Sequence, residues 1–128
     1  MKRLALVPFI VSVALAAACG ADTRDSLAAE QQKVMEEFVT ALDGVKDADT
    51  ARSAKPKLQS IVARMEDINT RESKLPPPTD AETKALLEKH GKSMQDTMMK
   101  LQGSMMRIMM DPGIQAELKD IDFQKVSR

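Results

Sequence analysis

From residue 25 onward, apolar residues recur at steps of three, four and seven. Leu27, Val34, Phe38, Ala41 and Val45 mark a stripe that Met35, Val39 and Leu42 widen, with Gln31 in register. Glu30, Lys33, Glu36, Glu37 and Asp43 take the other faces. That spacing predicts an amphipathic helix of about 20 residues, roughly 30 Å long. Asp25 or Ser26 is its expected N-cap, and Gly44 lies near its stop. Asp47 to Thr50 reads as a turn and a new start. Ala51, Ala54, Leu58, Ile61, Met65 and Ile68 then repeat at three and four, flanked by Val62 and Leu75. Pro56 lies too deep for a first turn, so it is expected to kink this second helix or to mark a short lead-in. Pro76-Pro77-Pro78 must end the helix by Leu75 and reads as a stiff connector.

Thr79 with Glu82 three residues later has the form of a capping box, the strongest boundary signal in the chain. It opens a third helix expected over residues 80–110. Asp111-Pro112 closes that helix and caps a short fourth one, edged by Ile114, Leu118 and Ile121. No alternating apolar–polar run is long enough for a sheet. The expected fold is all-α: an antiparallel three-helix bundle with a short C-terminal fourth helix over residues 25–123, then a tail at 124–128. The third helix should overhang its partners by about two turns, with the fourth as the natural cover.

The first residues follow a different pattern. Lys2 and Arg3 precede an apolar stretch, Leu4 to Leu15, broken only by Pro8 and Ser12, and then Ala16-Ala17-Ala18-Cys19-Gly20. A basic start, an apolar core and small residues before a cleavage point describe a secretory signal peptide. The run to Cys19 is shorter than the ~20 residues that span a bilayer comfortably. Leu15-Ala16-Ala17-Ala18-Cys19-Gly20 resembles the lipobox of bacterial lipoproteins, with Ala16 where Leu is more usual. The mature region resembles small helical bacterial lipoproteins. The resemblance implies cleavage after residue 18, acylation of Cys19 and a short lipidated tether over residues 19–24. It also implies a place in the bacterial cell envelope. Gly20 is not the Asp that retains such proteins at the inner membrane, so the periplasmic face of the outer membrane is expected. Two or three acyl chains, at about 0.8 kcal/mol per buried CH₂, hold a protein to a bilayer durably.

Composition narrows the chemistry. The 128 residues carry 19 basic and 19 acidic side chains. Losing Lys2 and Arg3 leaves 17 basic ones, so neither nucleic acid nor an anionic lipid surface is an expected partner. There is no Trp or Tyr, one Cys and one His. That excludes an intrachain disulfide, a cysteine-based zinc site and the two-histidine metal helices. No phosphate loop or nucleophile elbow occurs, and the acidic pairs Glu36–Glu37 and Glu66–Asp67 diverge on their helices. No catalytic residue and no cofactor is expected.

The oddity is methionine. Seven of the ten lie between residues 94 and 110. On a helix, Met94, Met98, Met105 and Met109 share a face with Leu87, Leu101 and Ile108, while Met99, Met106 and Met110 form a second stripe about 90° away. Three readings follow. In the first, both stripes are packed, the second beneath Ile114, Leu118 and Ile121, because flexible thioethers fill irregular gaps. In the second, Met99, Met106 and Met110 form an adaptable interface for a protein partner or for self-association. In the third, thioethers hold Cu(I), with His90, Met94 and Met98 sharing one face at steps of four. The expected function is a membrane-anchored, non-enzymatic envelope module for interaction or structure, with small-ligand or Cu(I) binding as the alternative.

Overall fold

A computed structural model describes residues 21–126. The signal-peptide and acylation expectations for residues 1–18 and Cys19 lie outside the described residues, as do the last two positions of the tail. The described chain is all-helical: α1 Arg24–Asp43, α2 Ala48–Ser73, α3 Asp80–Met110, α4 Pro112–Leu118 and a closing 3₁₀ turn, Phe123–Val126.

Each start has a local cause. The cap of α1 is Thr23, ahead of the expected Asp25 or Ser26. Its hydroxyl accepts from the Ser26 N–H at 3.1 Å, and the Thr23 N–H donates to the Ser26 hydroxyl at 2.9 Å. Serine thus plays the part usually given to Glu in a capping box. Asp47 caps α2 through the Thr50 N–H at 2.8 Å. Thr79 and Glu82 form the expected box on α3, and Asp111 caps α4 with Pro112 behind it. The α2 helix runs on through Pro56. Burial of Ala51, Leu58, Ile61, Met65 and Ile68 on both sides offsets the missing N–H.

Ion pairs fix the directions of the helices. Arg64–Glu37 at 2.6 Å and Arg71–Glu30 at 2.9 Å show α2 running antiparallel to α1. Lys89–Asp25 at 2.7 Å and the Ser104–Asp43 hydrogen bond at 2.7 Å show α3 running parallel to α1. Helices α2 and α3 each pack mainly on α1. The C-terminal segment follows α2, tied by Arg52–Glu117 at 2.6 Å, Lys55–Asp120 at 2.8 Å and Lys125–Glu66 at 3.1 Å. Packed chain continues past residue 123: Val126 is buried, and Phe123 sits 6.0 Å from Phe38, ring centre to ring centre.

The core is therefore built by α1, α2 and the C-terminal segment, with little from α3. Of the apolar residues on α3 only Ile108 is buried; Leu101 and Met105 are half-buried. Its buried stripe is instead His90, Thr97 and Ser104, seven residues apart. This corrects the expectation that Leu87, Met94, Met98 and Met109 face the core, since all four are exposed. It equally corrects the expectation that Met99, Met106 and Met110 lie under α4. Ile114, Leu118 and Ile121 are buried, whereas those methionines face away. The cause is rotational. His90 is held by Asp25 and Gln32, Ser104 by Asp43, and Arg107 by the Leu42 carbonyl at 2.8 Å. These polar ties turn the small polar stripe of α3, not its methionines, toward α1.

Candidate interaction surface

The outer face of α3 is the chemically unusual part of the molecule. Over residues 94–110, an arc of about half the helix circumference holds only Met94, Gln95, Met98, Met99, Gln102, Gly103, Met105, Met106, Met109 and Met110. Asp96, Lys100 and Arg107 all fall outside that arc. Met99, Met106, Met109 and Met110 are 58, 67, 69 and 80% exposed. A monomeric protein seldom leaves so much contiguous apolar surface in water, because the hydration cost scales with the exposed area. The N-terminal half of the same helix differs, presenting Lys84, Glu88 and Lys92 outward.

Gln95 and Gln102 run down the middle of the methionine face. Met94, Met98, Met105 and Met109 line one side, and Met99, Met106 and Met110 the other. The first row borders the groove between α3 and the rest of the fold. Near the C-terminal end of α3 that groove is occupied by the C-terminal segment, where Met105 and Met109 border Leu118, Ile121 and Phe123. Nearer the start of α3 it is open. Met35, Met94 and Met98 line a small cleft with Gln31, Gln32 and Thr97. A larger apolar cleft of about 260 Å³ follows, lined in part by Ala28, Leu86, Leu87 and Pro78.

Of the three residues expected to share a face, His90 and Met94 both line the larger cleft, and Met94 and Met98 both line the smaller one. His90 is buried, with Nε2 3.0 Å from an Asp25 carboxylate oxygen and Nδ1 3.2 Å from the Gln32 amide oxygen. Met94 and Met98 line the smaller cleft with Met35, a residue the sequence assigned to packing. Asp25 also receives Lys89 at 2.7 Å. The Lys89 ammonium, and after it His90, hold the Asp25 carboxyl below its ordinary range. Among the described residues no three His, Cys, Asp or Glu side chains gather as a metal site.

A second cluster lies where α1 begins. Arg71 of α2 reaches Asp22 at 2.7 Å, Glu30 at 2.9 Å and Asp67 at 3.1 Å. Its guanidinium keeps the Asp22 carboxyl low, and the three carboxylates drive the Arg71 pKa up. Arg24 donates to the Pro76 carbonyl, so the proline connector lies at the end of the fold where α1 begins. Spacing along the sequence gave no signal for this clamp, because Asp22 and Arg71 lie 49 residues apart.

Among the described residues no helix is long and apolar enough to cross a membrane. Compared with family models, curated proteins and solved structures, the chain matches none of them.

Proposed function

We propose that this chain is a non-enzymatic interaction module held at a bacterial envelope membrane through acyl chains on Cys19. Its working surface is the methionine face of α3. The observation that carries this reading is the uncharged outer face over residues 94–110, in a chain with 30% charged residues. Thioether side chains suit such a role, since they are apolar yet flexible enough to fit a partner's surface. The helices form an up-down-up three-helix bundle, with α4 folded back over α2 and α3. In that arrangement α1 and α2 are the scaffold and α3 is the presenting element.

With Cys19 acylated, the Arg71–Asp22 ion pair fixes the chain three residues after the anchor, a reach of about 10 Å at most. The bundle then sits close to the bilayer, with the start of α1 and the proline connector facing the lipid. The test is fractionation of Cys19→Ser. The variant should leave the membrane while keeping the helical signal of the parent. A variant that stays as firmly bound as the parent refutes acyl anchoring.

A further inference from the structure

The methionine row that borders α1 carries a chemistry of its own, independent of docking through the outer row. We infer that Met35 of α1, with Met94 and Met98 of α3, forms a binding site for a soft monovalent metal ion, Cu(I), between the two helices.

The donors point to the ion. Gln31, Gln32 and Met35 line the smaller cleft from α1, and Met94, Thr97 and Met98 line it from α3. None of these side chains is charged. Ca²⁺ and Mg²⁺ take oxygen ligands, carboxylates foremost, and among the described residues no three His, Cys, Asp or Glu gather to supply a harder cation. The Gln32 amide is already committed: its nitrogen donates to Glu36 and Ser93, and its oxygen meets His90. What remains is thioether sulfur, a neutral and soft ligand that selects Cu(I). His90 leaves the expected ligand set because both its ring nitrogens are engaged, one with Asp25 and one with Gln32. Met35 takes its place.

Size and placement agree with this. The cleft encloses about 30 Å³, roughly the share of one water in the liquid. That suits a single ion, whereas organic ligands occupy pockets of about 300–1,000 Å³. Met94 and Met98 lie one turn apart on the same side of α3. They are 44 and 42% exposed, so core packing does not account for them. Met35 packs half-buried against the core on the other wall. The His90–Gln32 and Gln32–Ser93 contacts before the cleft, and Ser104–Asp43 after it, tie α1 to α3. The two backbones that carry the ligands are thereby fixed. Each methionine arm has three rotatable bonds, so the sulfurs close on one ion without moving a helix. Further along the same row, Met105 and Met109 border Leu118, Ile121 and Phe123, and α1 has no second methionine to face them.

The test is anaerobic titration of the full chain with Cu(I) against a colorimetric Cu(I) chelator. The chain carries Cys19→Ser, so that no thiol competes for the ion. One Cu(I) per chain is expected. Met35→Leu and Met98→Leu keep the side-chain volume. Each should weaken binding by at least about 10-fold, since even a supporting group at a metal site contributes that much. The outer-row variant Met99→Leu/Met106→Leu/Met110→Leu should bind as the parent does. X-ray absorption of the loaded protein should show sulfur ligands and no imidazole. Where Met35→Leu melts below the parent, Met94→Leu on the exposed wall replaces it and should show the same loss. Absence of stoichiometric binding, unchanged affinity in the cleft variants, or an equal loss in the outer-row variant overturns the site. Imidazole in the ligand shell overturns the three-thioether assignment.

Discussion

Methionines in this chain occupy two opposite environments, and truncating one of each kind separates them. Met65 is fully buried in the α1–α2 core, whereas Met106 and Met110 are 67 and 80% exposed. Met65→Ala removes buried methylene and sulfur and leaves a cavity, a change that costs about 2–5 kcal/mol. At roughly 4–8 °C per kcal/mol for a domain of this size, its melting temperature should fall by about 10 °C or more. Met106→Ala/Met110→Ala removes more atoms from places where they touch water. Surface changes fall within about 0.5 kcal/mol each, and alanine is slightly the better helix former. The double variant should therefore melt within a few degrees of the parent. The melt is followed by circular dichroism, because the chain has neither Trp nor Tyr. Dilute protein is essential, since pairing through this face would itself raise the melting temperature with concentration. A double variant that melts as low as Met65→Ala would refute the rotation of α3 described above.

Two further outcomes follow from named contacts. Gly91 lies inside α3, and a Cβ added there meets nothing within 4 Å. Gly91→Ala should therefore stabilise the fold by about 0.5–1 kcal/mol, read as a raised melting temperature. Asp22, Asp25, Glu37 and Glu117 have carboxyls held low by Arg71, Lys89, Arg64 and Arg52 respectively. Their folded pKa values lie below the unfolded ones, so their contribution is present above about pH 4 and is lost as pH falls through the folded values. The difference in stability between pH 6 and pH 2.5 should shrink in Arg71→Ala. An unchanged difference would show that the Arg71 cluster does not act on the folded state in solution.

Helix positions were legible in the sequence because their signals are local. Thr79 and Glu82, Asp111 and Pro112, and the proline run each act within one turn of chain. Burial on α1 and α2 followed the same logic, with Leu27, Val34, Phe38, Leu58 and Ile61 inside as their spacing implied. The orientation of α3 was not legible. Its apolar face is wide enough to suggest a core position. What turns it away are contacts made across 58 to 65 residues of sequence, His90 to Gln32 and Asp25 and Arg107 to the Leu42 carbonyl. A polar stripe of His90, Thr97 and Ser104 at seven-residue spacing is the one trace those contacts leave in the sequence. The role of Phe123 and Val126 was hidden for a similar reason. A four-residue 3₁₀ turn is too short to show periodicity, and only its packing on Phe38 and α2 reveals it.

The claim that the methionine face is a docking surface is tested most directly by oxidation footprinting. The chain is exposed briefly to hydrogen peroxide, once as dilute purified protein and once in native membranes, and each methionine is read by mass spectrometry. Exposed thioethers oxidise readily and buried ones slowly. In dilute protein Met99, Met106 and Met110 should oxidise fast and Met65 slowly. In the membrane those three should become protected, with Met65 unchanged as the internal reference. Equal, rapid oxidation of Met99, Met106 and Met110 in both preparations would contradict the account, because it would leave the face bare where the protein works.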